Sequence, residues 1–362
     1  MNFPSATARA WVDVDLGALV ANGRTLAKAC GTRLLPMVKA NGYGLGAAQV
    51  ARALDLLDPW GFGVATVEEG AALRASGVNR AILVASPLTP EALGPVLEHE
   101  FRPAIGDPGM LHSWIARSDA PFHLEIDTGM ARAGIRWNDE SALGEAARLL
   151  GSAPGWEGIF THFHSADSDP GSVATQWSRF QSVVSALPRR PLLVHAANSA
   201  AALHGRAYAA DLARPGIFLY GGKAGASAPA PMPVASLRAR VLAVRGVAAG
   251  ESVSYGATWR APRRTTVATL GLGYGDGLPR AVDRKGENRP RQIELRGRAV
   301  PLVGRVTMDM CMVAVDDGQV AVGDVATIFG GIVSLDEQAR AAGTISYELL
   351  TALGNRVPRC YR

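Results

Sequence analysis

Through roughly the first 232 residues, short apolar runs alternate with Ala/Leu-rich stretches of helical period. The runs are LPMVK (35–39), GFGVAT (61–66), AILVAS (81–86), RPAIG (102–106), FHLEID (122–127), GIFTHF (158–163), LLVHAA (192–197) and AADLAR (209–214). Helical candidates between and before them include 16–29, 46–57, 67–76, 90–98, 139–150 and 172–187. Apolar strands that run on without polar alternation are buried on both faces, as in a parallel sheet. Eight strand–helix repeats predict an N-terminal (β/α)8 barrel of the TIM type over 15–232. The eighth strand is ambiguous. GIFLYG (216–221) is also strand-like, and Pro215-Gly216 separates it from AADLAR, so only one side of that break belongs to the barrel.

The segment KAGASAPAPMPVAS (223–236) reads as a linker. Beyond it the texture changes to short β-rich runs: 238–247, 265–273, 291–306, 311–317 and 324–330, separated by Gly, Pro or Asp. They predict a mostly antiparallel β domain over 233–362, with one helix near 344–353.

Composition narrows the class. With 48% hydrophobic and 19% charged residues, the chain can bury a core and lacks the signature of disorder. No apolar run reaches the ~18 residues of a membrane helix, and MNFPSATARAWVDVD has no uninterrupted apolar segment of the secretory type. Cys30, Cys311 and Cys360 are too few and too scattered for a disulfide framework or a metal motif. A cytoplasmic protein is expected. The net charge of +5 is not gathered into basic clusters, so neither a nucleic-acid nor a membrane partner is expected.

Almost all the basic residues are arginine; the only lysines are Lys28, Lys39, Lys223 and Lys285. Side chains at the C-terminal ends of barrel strands face an active site. There the sequence places Lys39, Asp127 with Arg132 just after it, His162 with His164, Asn198 with Ser199, and Arg214. Lys39 ends an apolar run and precedes a glycine-rich loop, ANGYGLG. Desolvation there favours the neutral amine, which can form a Schiff base with an aldehyde. The competing reading is a lysine that snorkels at a strand end. Three other features carry less. GLGYGDG (271–277) does not fit G-x-G-x-x-G in any phase and reads as a turn. His162 and His164 lack the further ligands of a metal site, and His195 alone does not supply them, so no metal is expected. Tyr255, taken alone, reads as a packing residue.

Ten segments in order resemble the alanine racemase family of fold-type III pyridoxal-phosphate enzymes. They are VKANGYGLG (38–46), DTGMARAG (127–134), THFHSAD (161–167), HAANSAAAL (195–203), ARPGIFLYG (213–221), VSYGATW (253–259), GLGYGDGLPR (271–280), GRVTMDM (304–310), TISYELL (344–350) and NRVPR (355–359). The family's barrel followed by a β domain agrees with the two textures, and the resemblance implies that the first strand, near 11–14, joins the β domain. It implies pyridoxal 5'-phosphate held as an aldimine on Lys39. Tyr43, Ser199, Gly216, Ile217 and Tyr347 resemble its phosphate ligands, and Asn198 belongs with the cofactor-binding set. Backbone N–H groups of Gly216 and Ile217, at the start of a short helix after strand eight, would form the anion site, which makes AADLAR the eighth strand. Arg214 resembles the arginine facing the pyridine nitrogen, and His162 the histidine behind it. Arg132 and Met308 resemble the substrate-carboxylate ligands, with Asp309 in support. Tyr274 and Tyr347 resemble an inner gate, and Asp167, Arg280, Arg305 and Ile345 an outer channel layer.

The resemblance further implies racemisation between L- and D-alanine by two bases, Lys39 on one face and Tyr255 on the other, supplying D-alanine for peptidoglycan. Tyr255 and Met308 would enter from a partner subunit, which requires a homodimer. One departure stands out. Where most members carry a lysine, often carbamylated, this chain has Glu125. A glutamate brings the negative charge directly, so Glu125 is expected to orient Arg132 without carbon dioxide chemistry. A broader-specificity racemase acting on serine, a pyridoxal-phosphate decarboxylase and a non-catalytic carrier remain as alternatives.

Overall fold

The computed structural model describes residues 4–281, 290–315 and 319–362. Lys285 and the acidic end of the 311–317 run lie outside the described residues. Two sheets organise the chain. The first is all parallel: Arg33–Leu34, Gly61–Val64, Ala81–Val84, Arg102–Ile105, Phe122–Asp127, Trp156–Phe160, Leu193–His195 and Leu212–Ala213 follow one another in chain order. Leu212–Ala213 pairs back onto Arg33–Leu34, and a parallel bridge from Met37 to Gly63 closes the ring. This is the expected barrel. Asp15, Thr66, Asp107, Asp139, Asp169 and Asn198 each cap the helix that follows by accepting backbone N–H bonds. Pro108 and Pro170 sit at helix starts, where a missing N–H costs nothing.

The second sheet is antiparallel apart from one pair. The long strand Ala235–Val247 bonds to Val325–Phe329, to Thr265–Leu270 and to Ala10–Val14. It thereby closes a small barrel with Cys311–Val315, Arg298–Val303 and Gln292–Leu295. Ala10–Val14, earliest in the chain, lies in this sheet and pairs in parallel with Arg359–Tyr361.

The structure differs from expectation in four places. Helix Pro108–Ile115 lies in a stretch that gave no prediction. The 291–306 run is a hairpin, turned at Arg296 and Gly297, whose φ values of 52° and 75° suit a tight two-residue turn. The helix expected near 344–353 is present as Ser346–Thr351, but an unexpected helix, Leu335–Ala341, precedes it, separated by the left-handed turn at Gly343. After Ala213 the chain makes successive i→i+3 turns from Gly216 to Gly221, not a helix. Gly221, with φ of 90°, turns left-handed and ends the run.

Candidate active site

A cavity of about 580 Å³ opens at the C-terminal ends of the barrel strands. Lys39, Tyr43, Glu125, Arg132, His162, Asn198, Ser199, Arg214, Gly216, Ile217 and Tyr347 all face it. The fold thus gathers eleven of the residues singled out in the sequence.

Lys39 sits where the first barrel strand turns sharply. Ala40, Asn41, Gly42, Tyr43 and Gly44 all have positive φ, a left-handed turn that costs non-glycine residues about 1–2 kcal/mol each. Surrounding contacts hold it. Glu69 accepts the Ala40 N–H at 2.6 Å, the Asn41 side chain accepts the Ala47 N–H at 3.0 Å, and Arg359 bonds the Gly44 carbonyl at 2.8 Å. Burial and the positive charge of Arg132 push the Lys39 amine below its ordinary value, against a smaller opposing pull from Glu69. A lowered amine pKa is the direction that favours attack on a carbonyl.

Beside Lys39 lies a cradle of hydroxyl and amide groups. The Ser199 hydroxyl accepts the Gly216 N–H at 2.9 Å. A Cβ at Gly216 would lie 2.1 Å from the Tyr43 hydroxyl, so only glycine lets the phenol come this close. Tyr43 stacks on Tyr220 at 4.3 Å, and Tyr220 donates to the Met37 carbonyl at 2.8 Å. Tyr347 leans on Tyr43 from helix Ser346–Thr351. Burial raises both phenols, Tyr347 to about 12; they stay protonated donors at neutral pH. Three hydroxyls and a turn of backbone beside a lysine amine fit an aldehyde that carries a phosphate. Asn198 lines the cavity, but its side-chain oxygen is spent on capping helix Ser199–Leu203.

Arg214 is held from behind. It donates to His195 Nδ1 at 2.8 Å and to the Thr161 carbonyl at 2.8 Å, and it stacks over the Phe160 ring. His162, expected behind this arginine, is only a 3.4 Å neighbour. The near histidine is His195, which sequence reasoning considered only as a metal ligand. Burial lowers Arg214 to about 10, which leaves it cationic at neutral pH. Burial and three nearby cations, Arg214, Arg132 and Lys39, drive His162 down to about 3; it is a neutral imidazole here. Glu125 and Arg132 face the same cavity but form no direct ion pair among the described residues. A glutamate stem is short, and Arg132 stands on the exposed loop that Asp127 organises by accepting the Gly129 and Ala131 N–H groups. Burial raises the Glu125 carboxyl, while Arg132 and Arg214 oppose the rise.

The remaining expected residues form a second group on the β domain. Tyr255 occupies a tight turn whose Ser254 hydroxyl bonds the Arg305 carbonyl at 2.7 Å. Tyr274 and Gly275 donate their N–H groups to Thr307 and Met308 carbonyls at 3.0 and 2.9 Å. Asp276, almost fully buried, ties this turn together: it pairs with Arg356 at 3.1 Å and Arg9 at 3.3 Å, while Asp309 pairs with Arg356 at 2.9 Å. Tyr255 is 70% exposed and Met308 54%. Neither they, nor Tyr274, Arg280 or Arg305, line the Lys39 cavity. The expected gate is divided too. Tyr347 belongs to the cavity, with Asp167 near enough to act on its charge, and Ile345 lies two residues before it; Tyr274, Arg280 and Arg305 do not line the cavity. No membrane-crossing helix and no group of metal-binding side chains occurs among the described residues.

Residues 14–224 match the alanine racemase N-terminal domain and residues 234–361 the alanine racemase C-terminal domain. An alanine racemase of Deinococcus radiodurans is 40% identical, over 97% of this chain and 98% of the relative. Among solved structures, an alanine racemase from Streptomyces coelicolor superposes with a TM-score of 0.91 at 31% identity, over 98% of each chain. One from Bartonella henselae, described with covalently bound pyridoxal phosphate, superposes with a TM-score of 0.90 at 31% identity, over 98% of this chain and all of the other.

Proposed function

The chain belongs to the alanine racemase family of isomerases, and from that premise we propose that it interconverts L- and D-alanine with two bases drawn from two subunits. The observation that carries this is the division of the expected residues into a cavity around Lys39 and an exposed cluster around Tyr255. Each cluster lacks what the other holds. A homodimer that apposes them completes two equivalent sites, as the symmetry of a closed pair requires.

Lys39 would hold pyridoxal 5'-phosphate covalently, with Tyr43, Ser199, Gly216, Ile217 and Tyr347 around the phosphate. When bound, that group supplies an electron-withdrawing ring system that acidifies the Cα–H of an attached amino acid. Arg214 would face the ring nitrogen as a donor, and because it is charged and keeps its own protons, it would disfavour protonation of that nitrogen. Arg132 and the backbone N–H of the partner's Met308 bind the substrate carboxylate and fix the orientation of Cα. Lys39 removes or returns the proton on one face, and the partner's Tyr255 does so on the other. Glu125 lends a negative charge to the Arg132 side of the cavity without touching it. We place the enzyme in the cytoplasm as a source of D-alanine for peptidoglycan. Cys30, Cys311 and Cys360 are all unpaired, as suits a reducing compartment.

Mixing inactive variants tests the shared site. Lys39→Ala and Tyr255→Phe are each expected to be nearly inactive. Dissociated together and reassociated in equal amounts, half the dimers carry both lesions, and in each of these one site keeps both bases. Recovery of about a quarter of wild-type activity is the expected outcome. No recovery, with mixed dimers demonstrably formed, would place both bases in one chain.

A further inference from the structure

The buried hydrogen bonds behind Arg214 do not stop at His195. His195 Nε2 lies 2.8 Å from His123 Nδ1, and His123 Nε2 lies 3.2 Å from Glu157 Oε2. Arg102 Nε pairs with the same carboxylate oxygen at 3.3 Å. His123 and His195 are wholly buried. Glu157 and His123 are the second residues of their strands, whereas His195 and Arg214 lie at strand ends. The line therefore runs through the barrel from the end opposite the cavity to the cavity floor.

We infer that Glu157 is a positioning residue, which fixes the guanidinium of Arg214 through two histidines of set tautomer. Donor and acceptor chemistry leaves one arrangement. Arginine only donates, so His195 Nδ1 must accept. A neutral His195 then carries its proton on Nε2 and donates it to His123 Nδ1. His123 in turn carries its proton on Nε2 and donates it to the ionised Glu157, which accepts only. Each link sets the next, because the hydrogen bond at one ring nitrogen decides what the other can do. Trp60 and Phe160 pack on the two rings, with centroids 5.3 and 5.1 Å from His123 and His195. Space is reserved for the line: a Cβ at Gly158 would lie 2.7 Å from the His123 ring. The fold thus spends three polar side chains, two of them wholly buried, on the direction of one guanidinium. His162 touches Arg214 only at 3.4 Å and cannot fix it alone. The role toward the cofactor ring rests on the function proposed above; the tautomers do not.

Nitrogen NMR of the purified protein with its bound cofactor, labelled with 15N in its seven histidines, reads the arrangement directly. Both His123 and His195 should carry hydrogen on Nε2 and none on Nδ1. An Nδ1–H tautomer at either ring, or a doubly protonated ring, overturns the inference, and this spectrum needs no variant to fold. In Glu157→Leu the His195 resonances should shift although residue 157 does not touch that ring. kcat should fall about tenfold, the low end for loss of such an orienting partner, with KM little changed. Glu157→Gln, whose amide oxygen still accepts, should restore the His195 resonances and most of kcat. An unmoved His195 in a folded Glu157→Leu protein overturns the inference, as does failure of Glu157→Gln to restore it. A colourless protein with both tautomers as stated would sink the cofactor assignment and still uphold the relay.

Discussion

The barrel end and the β-domain face are built on opposite principles. Around Lys39 almost every polar group has a partner inside its own chain: Arg214 on His195, Ser199 on Gly216, Tyr220 on Met37. Around Tyr255 the backbone is firmly turned, yet the side chains that matter stand in solvent. One region is organised to hold a ligand before anything else arrives. The other is organised to present groups to something outside the chain. On the proposed reading, a site divided this way would carry its chemistry in assembly: one half is finished within its own chain, and the other would act only against a partner.

The largest effect should come from the rigid half. Lys39→Ala should lower kcat by at least about 10⁴-fold, the upper range for loss of a proton-transfer group, and abolish the visible absorbance that borohydride bleaches in the parent. Retained turnover would detach the chemistry from the barrel. Next comes the ion network under the presenting half. Asp276→Asn keeps the shape but drops the charge shared by Arg9 and Arg356, so the Met308 turn loosens. KM should rise about tenfold with a smaller change in kcat, as for lost binding rather than lost chemistry; an unchanged KM would separate that turn from the substrate.

Glu125→Gln should cost a smaller factor, about three- to tenfold, since no direct bond to Arg132 is broken. Activity of the parent should not depend on added bicarbonate, and bicarbonate-stimulated turnover would return the site to carbamate chemistry. Because burial raises the Glu125 carboxyl, its charge is lost at a higher pH than that of an exposed glutamate, so the parent's acid-side activity loss should shift toward lower pH in the variant. The smallest effect is on stability. His123 and His195 are buried with pKa values below the ordinary 6.5. The unfolded chain takes up their protons first, so the stability present above about pH 6.5 drains away as pH falls toward the folded values. The slope is at most about 1.4 kcal/mol per histidine per pH unit. All seven histidines precede residue 205, so urea unfolding at decreasing pH should lose the barrel's signals first. Coincident loss in both sheets at every pH would show one cooperative unit.

Periodicity made the barrel legible, because parallel strands bury both faces and therefore read as unbroken apolar runs. Pro108–Ile115 escaped because its eight residues, PGMLHSWI, begin with proline and glycine and show too little polar contrast for a helical period. The hairpin at Arg296-Gly297 read as one run because both its strands are rich in apolar residues and only two residues turn it. The cavity residues were legible through motif resemblance, yet the line His195–His123–Glu157 was not. Its members lie in three strands, each polar residue alone in an apolar context, and only the register His123↔Gly158 and Phe160↔His195 brings them together. No local pattern encodes which buried polar groups meet across a barrel.

Tyr361 bonds the Leu45 carbonyl at 3.0 Å, Arg359 grips Gly44, and their strand flanks Ala10–Val14. Synthesis runs in the other direction: residue 10 leaves the ribosome some 350 residues before its neighbour exists. The eight parallel strands can close meanwhile, but the left-handed turn after Lys39 waits for its last two clamps. Until residues 359–361 have been made, the loop after Lys39 lacks two of the contacts that hold its left-handed turn.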